Sequence, residues 1–197
     1  MASSINAITT GSGGVVTTAD NSGDLNIQSG GSTKIAVTSA GVSVTGLTKA
    51  SLPTGSVLQV VSSNTGAKAS TTSTSITSLG TSTSITPSSA SSKILINITT
   101  SIGNAADSNA AFYVVRTVNG TNTTIFNYCA FITGATAAYA NFPFAWVQLD
   151  SPATTSPVTY SLSGRRYDGG SIPFAGGRNT DTEAQMGVQF VLSEIAA

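Results

Sequence analysis

From Asp24 to Thr45 the chain alternates between apolar and polar positions. Leu25 and Ile27 are interleaved with Asp24, Asn26 and Gln28. Ile35 and Val37 alternate with Lys34, Ala36 and Thr38, and Val42 and Val44 with Ser43 and Thr45. A period of two places alternate side chains on one face of a strand. The separators "SGGS" and "SAG" carry turn chemistry. The pattern therefore predicts three short strands, each apolar on one face. Residues 1–14, "MASSINAITTGSGG", read as extended, with Ile5 and Ile8 as anchors. Val15, Val16 and Leu47 add apolar positions to the same arm.

A second pattern starts at Pro53. "LPTGSVLQVVSS" predicts a strand over Val57–Val61, and the Ser/Thr-rich run that follows predicts one around Ile76 and Leu79. A loop is expected at Pro87–Ser92 and a strong strand at Lys93–Thr100. "AFYVVRTV" and "TNTTIFNYCAFI" flank Asn119-Gly120, the strongest short hairpin signal. "FPFAWVQL", "VTYSLSG", "SIPF" and "AQMGVQFVLSEIAA" complete the set. Short strands with Gly and Pro punctuation and no 3.6-residue period imply an all-β fold, an antiparallel β-sandwich of the jelly-roll kind. The nearly continuous apolar run "MGVQFVL" predicts a central strand buried on both faces.

Aromatic residues divide the chain. Every Phe, Tyr and Trp lies between Phe112 and Phe190. Because aromatic side chains dominate core energetics, the compact core is expected in the C-terminal part. The reading is an extended β-arm over 1–52 and a jelly-roll head over 53–197. A meander of short strands with one Leu and a few β-branched residues is marginal alone. Two completions are open: three copies winding around a common axis, or the ribbon lying along another protein as added strands.

Composition narrows the function. Charged residues make up 8% of the 197, against about 25% in ordinary soluble domains. Eight basic residues balance eight acidic ones, so the basic surface needed to neutralise nucleic-acid phosphates is missing. The N-terminus has neither the basic start nor the apolar core of a signal peptide, so synthesis in a cytoplasm is expected. "NFPFAWVQL" is too short to span a bilayer, and no membrane partner is expected. The single Cys129, in the apolar run "IFNYCAFI", reads as a small buried hydrophobe.

Catalytic chemistry finds no support. The chain has no His, which removes a Ser-His-Asp triad and every His metal ligand. No phosphate-binding loop or paired-cysteine motif occurs. Asp181 and Glu183 lack the spacing of an EF-hand, so neither metal nor cofactor is expected. In "SGRRYDGG", Arg165 and Arg166 with Asp168 and Tyr167 read as a solvated turn, with an acidic sugar or a neighbouring subunit's carboxylate as the alternative ligand. Tyr139, Phe142, Phe144 and Trp146 are candidates for a head subunit interface or for stacking on a glycan; for Trp146, whose neighbours Phe142, Phe144 and Leu149 are apolar, packing in the core or at a subunit interface is the favoured reading.

The run "GSVLQVVSS … ITSLGTSTSITPSSASSKILINITT", with "VQFVLSEIAA" at the end, resembles a domain of tailed-phage virion proteins found on decoration proteins, head fibres and tail fibres. The opening "INAITTGSGGVVTTADNSGDLNIQSGGSTKIAVTSAGVSVTGL" is similar to the β-repeat stalks of such proteins. What the resemblance implies is a homotrimer with jelly-roll heads of the tumour-necrosis-factor/C1q type, and no catalytic residues. Two functions follow as expectations. The first is a capsid decoration or cement protein, held to the major capsid protein by the arm residues Ile5, Ile8, Val15, Val16, Leu25, Ile27, Ile35, Val37, Val42, Val44 and Leu47. The second is a tail fibre whose head reads a host-surface polysaccharide. A single short ribbon leading straight into one head favours the first, on the capsid surface of the virion.

Overall fold

The computed structural model describes residues 24–46, 52–65, 69–105, 109–131, 139–167, 173–175 and 187–197. The chain divides into two compact units, Met1–Thr48 and Lys49–Ala197. Ile5, Ile8, Val15, Val16 and Leu47 lie outside the described residues, as do Asp168, Asp181 and Glu183.

In the first unit, β1 (Leu25–Ser29), β2 (Ser32–Thr38) and β3 (Gly41–Val44) form one antiparallel sheet in the order β1-β2-β3. Ser29 pairs with Ser32 across a two-residue turn. Its central residues, Gly30 and Gly31, have φ of 59° and 75°. Positive φ at both positions matches the right-handed twist of a hairpin and is open to glycine at little steric cost. At the second turn the Ala40 N–H donates to the Thr38 Oγ1 at 3.2 Å, closing a short side-chain turn of the kind Thr favours.

The second unit is a sandwich. Its strands are β4 (Val57–Thr65), β5 (Ala69–Ser70), β6 (Thr77–Ile85), β7 (Lys93–Ala105), β8 (Asn109–Val118), β9 (Thr121–Phe131), β10 (Tyr139–Asp150), β11 (Val158–Arg166), β12 (Pro173–Ala175) and β13 (Val188–Ile195). One sheet runs β4-β13-β7-β10, and the other β6-β11-β8-β9. The short β12 and β5 extend the first sheet by sharing an edge of β7: β13 pairs with its residues 93–99 and β12 with 102–104. Among these eight principal strands, every successive connection except β8–β9 crosses between the sheets. That interleaving makes the sandwich a jelly roll. All strand pairs are antiparallel, so the all-β expectation holds.

Alternation fixes what each strand buries. On β7, Ile94, Ile96 and Ile98 point inward, and on β6 Leu79 and Ile85 do. Phe112, Val114, Tyr160, Leu162, Phe190 and Leu192 meet them from β8, β11 and β13. Asn119-Gly120 makes the expected hairpin, with Val118 opposite Thr121 and φ of 48° and 78°. One expectation fails. β13 lies between β4 and β7, but its faces are unequal: Val188, Phe190 and Leu192 are buried, while Gln189 is exposed and Val191 and Ser193 are half-buried. The apolar run marked a strand flanked on both edges, not one covered on both faces.

Two buried polar clamps cross this core. Arg116 of β8 donates from Nη1 to both Asp150 oxygens, at 2.8 and 3.0 Å. The Tyr160 hydroxyl of β11 donates to the Asp150 Oδ2 at 2.7 Å. Asp150 ends β10, so the cluster ties the two sheets together. Burial, then the Asp150 carboxylate, push the Tyr160 hydroxyl far above its ordinary range. At the other clamp, Glu194 of β13 is fully buried. Its carboxylate accepts from the Ser88 N–H at 2.7 Å, the Ser88 hydroxyl at 2.5 Å and the Gln59 Nε2 at 2.6 Å. Gln59 also donates to the Thr86 carbonyl at 2.7 Å, so the β6–β7 loop is pinned to β4 and β13.

Candidate assembly interfaces

The register of the small sheet sorts its apolar residues into two rows. Leu25 opposes Val37, which opposes Val42; Ile27 opposes Ile35, which opposes Val44. In antiparallel pairing, directly opposite residues share a face, so the six side chains form one apolar patch. Leu25 is 59% exposed and Val42 68%. Ile35, on the middle strand, is half-buried by its neighbours alone. This brings together the six described members of the predicted arm interface. A sheet with an uncovered apolar face is an interaction surface in waiting.

The head carries a second such face, one the sequence reading did not single out. The outward side of β4-β13-β7-β10 presents a row Val60–Ser193–Leu95–Leu149 and, beside it, Ser62–Val191–Asn97–Val147. Val60 is 59% exposed and Val147 58%; Val57, Leu95 and Leu149 are exposed too. The signal was present in "FPFAWVQL". An unbroken apolar run in a strand must put apolar side chains on both faces, and only one face can point into the sandwich core.

Alternation determines the fate of the predicted aromatic candidates. Phe144 is buried and Trp146 packs against the core between the sheets. Phe126 of β9 meets both, with ring centroids at 6.1 Å from Phe144 and 4.9 Å from Trp146. Tyr128 extends this cluster to the surface, 6.4 Å from Phe144. Phe144 and Trp146 thus join the two sheets near β9 and β10, and it is their neighbours Val147 and Leu149 that face outward. Tyr139 and Phe142 lie on β10, their side chains outside the described residues.

Arg165 and Tyr167 form a separate group on the outer side of the other sheet. The Arg165 guanidinium lies 4.3 Å from the Tyr167 ring centroid and 5.8 Å from that of Tyr113. Such stacking holds a cation against aromatic faces. Burial first, and then its contact with Tyr167, raise the Tyr113 hydroxyl, while Arg165 opposes the rise. Arg166, half-buried, ends β11 and its backbone N–H donates to the Ser73 carbonyl at 3.0 Å. Among the described residues no group of three or more His, Cys, Asp or Glu side chains is arranged to hold a metal.

No protein-family model matches the chain, and no curated protein matches it. Among solved structures, it is similar to a viral capsid protein described as "Crystal structure of infectious bursal disease virus VP2 subviral particle". The two are 15% identical with a TM-score of 0.32; the match covers 71% of this chain and 37% of that one.

Proposed function

We propose that this chain is a structural protein of a phage virion, a trimeric decoration or cement protein that grips the major capsid protein through its N-terminal arm and projects the jelly-roll head. The observation that carries the reading is the two-row apolar patch of Leu25, Val37, Val42, Ile27, Ile35 and Val44. Strand spacing and rise make that patch only about 14 by 14 Å, a fraction of the roughly 800 Å² per partner in a standard interface. One arm binds weakly; three linked arms multiply their grip through effective concentration. The resemblance to phage stalk repeats supplies the setting, and the charge-poor composition suits attachment by burial.

The test is Leu25→Asp with Val42→Asp in the full chain, mixed with purified phage shells and sedimented. Both side chains are exposed, so the head should melt unchanged while co-sedimentation is lost. Undiminished binding would refute the arm's role. A second reading, a fibre tip that binds an acidic host polysaccharide, is favoured by the Arg165–Tyr167 stack. It predicts binding of uronic-acid oligosaccharides that Arg165→Ala abolishes.

A further inference from the structure

We infer that the outward face of β4-β13-β7-β10 is the surface by which heads of this chain join one another. The inference deepens the assembly reading above by naming the head's partner as further copies of the same chain. Three observations converge on it.

The first is the contrast between the two outer faces of the sandwich. On β6 and β11, Ser82 opposes Ser161 and Ser84 opposes Thr159, the latter pair sharing a hydroxyl hydrogen bond at 2.7 Å. Ser82 and Ser84 are exposed there, Thr159 is half-buried and Ser161 is buried. The opposite face instead offers Val57, Val60, Leu95, Val147 and Leu149, all exposed. The apolar side chains on the outer face of the other sheet, Ala111, Tyr113 and Val115, are buried; those of this face are not, and a contiguous exposed apolar patch marks an interface rather than chance exposure.

The second is charge. Among the described residues that point outward from this sheet, Lys93 is the one charged side chain. A foreign partner is ordinarily recognised by complementary charge as well as by burial. A face with a single charge offers little such code, but its apolar rows are compatible with themselves. Copies related by symmetry lay the same apolar rows together with no like charges opposed.

The third is size. Four strands about 4.8 Å apart and about eight residues long give a planar footprint of roughly 500 Å². That is below the roughly 800 Å² per partner of a standard interface and near the size of weaker ones. By the same measure the arm patch has roughly 200 Å². The head face therefore offers roughly twice the area of the arm patch or more. Joined heads in turn bring the small arm patches to a common site, which gives them their collective strength.

The experiment measures the mass of the full-length chain by sedimentation equilibrium across the micromolar range. Wild type is expected to sediment as an assembly of three chains. Leu95→Thr, Val147→Thr and Leu149→Thr combined keep strand propensity while removing the patch. They are expected to raise the dissociation constant by roughly a hundredfold or more, with the thermal transition of the head retained. Should the triple variant fail to fold, Val147→Lys alone provides the same reading, because that side chain stands in solvent. A monomeric wild type, or an unchanged mass for a folded variant, would overturn the inference. Failure of the arm's role appears separately: Leu25→Asp with Val42→Asp would then leave shell binding intact, whatever the mass of the chain.

Discussion

Glu194 shows how much one side chain can set in a charge-poor protein. Burial alone would raise its carboxyl, but hydrogen bonds from the Ser88 hydroxyl, the Gln59 amide and the Ser88 backbone hold it down to about 2. A carboxyl depressed in the folded state contributes its full stabilisation above the ordinary value of 4.5 and loses it as pH falls towards 2. Wild-type stability should therefore drop by roughly 3 kcal/mol more than that of Glu194→Gln between about pH 6 and pH 2. Parallel pH dependences in the two proteins, read by urea unfolding, would contradict this. Asp150 poses a sharper case, because it neutralises Arg116 between the sheets. Asp150→Asn leaves that guanidinium without its counter-charge and should cost roughly 3 kcal/mol. Tyr160→Phe removes one neutral donor and should cost about 1 kcal/mol. Neither carboxylate is legible in the sequence, since "VLSEIAA" and "WVQLDSP" give no hint that an acid points inward. What identifies them is a partner far along the chain: Ser88 for Glu194, Arg116 for Asp150.

At the scale of the strand, period-two patterning was legible wherever one face meets water. The run 77–85 buries Leu79, Thr81, Thr83 and Ile85 in strict alternation, and β1–β3 follow the predicted faces pair by pair. Turn chemistry was equally readable: Asn119-Gly120 and Gly30-Gly31 close the hairpins their types require. Patterning failed where the run was apolar throughout. In "MGVQFVL" and "FPFAWVQL" it could not say which residues face the core. Phe144 is buried and Trp146 packs against the core, while Val147 and Leu149 face outward. The distinction has a measurable consequence. Trp146→Ala should destabilise the head by roughly 3 kcal/mol, as large-to-small changes in cores do. Val147→Ala should change its stability by less than about 0.5 kcal/mol. Similar losses for both variants in urea unfolding would show that the two faces of β10 are not distinguished as described.

For the molecule as a whole, the two units gain order in different ways. The sandwich holds a core of Ile, Phe, Leu and Tyr side chains from both sheets, and a chain of that kind stabilises itself. The small sheet has its apolar residues on the surface and nothing aromatic among them. Among the described residues its three strands pair only with one another, leaving two open edges, and its apolar face awaits a neighbour. Amide hydrogen exchange of the full chain, free at high dilution and bound to capsid shells, measures this difference directly. Rapid exchange at residues 25–44 in the dilute protein, with strong protection on the shell, is the predicted result. Lasting protection of those amides in a dispersed monomer would mean that the ribbon needs no other chain to hold its shape, and the assembly account would fall.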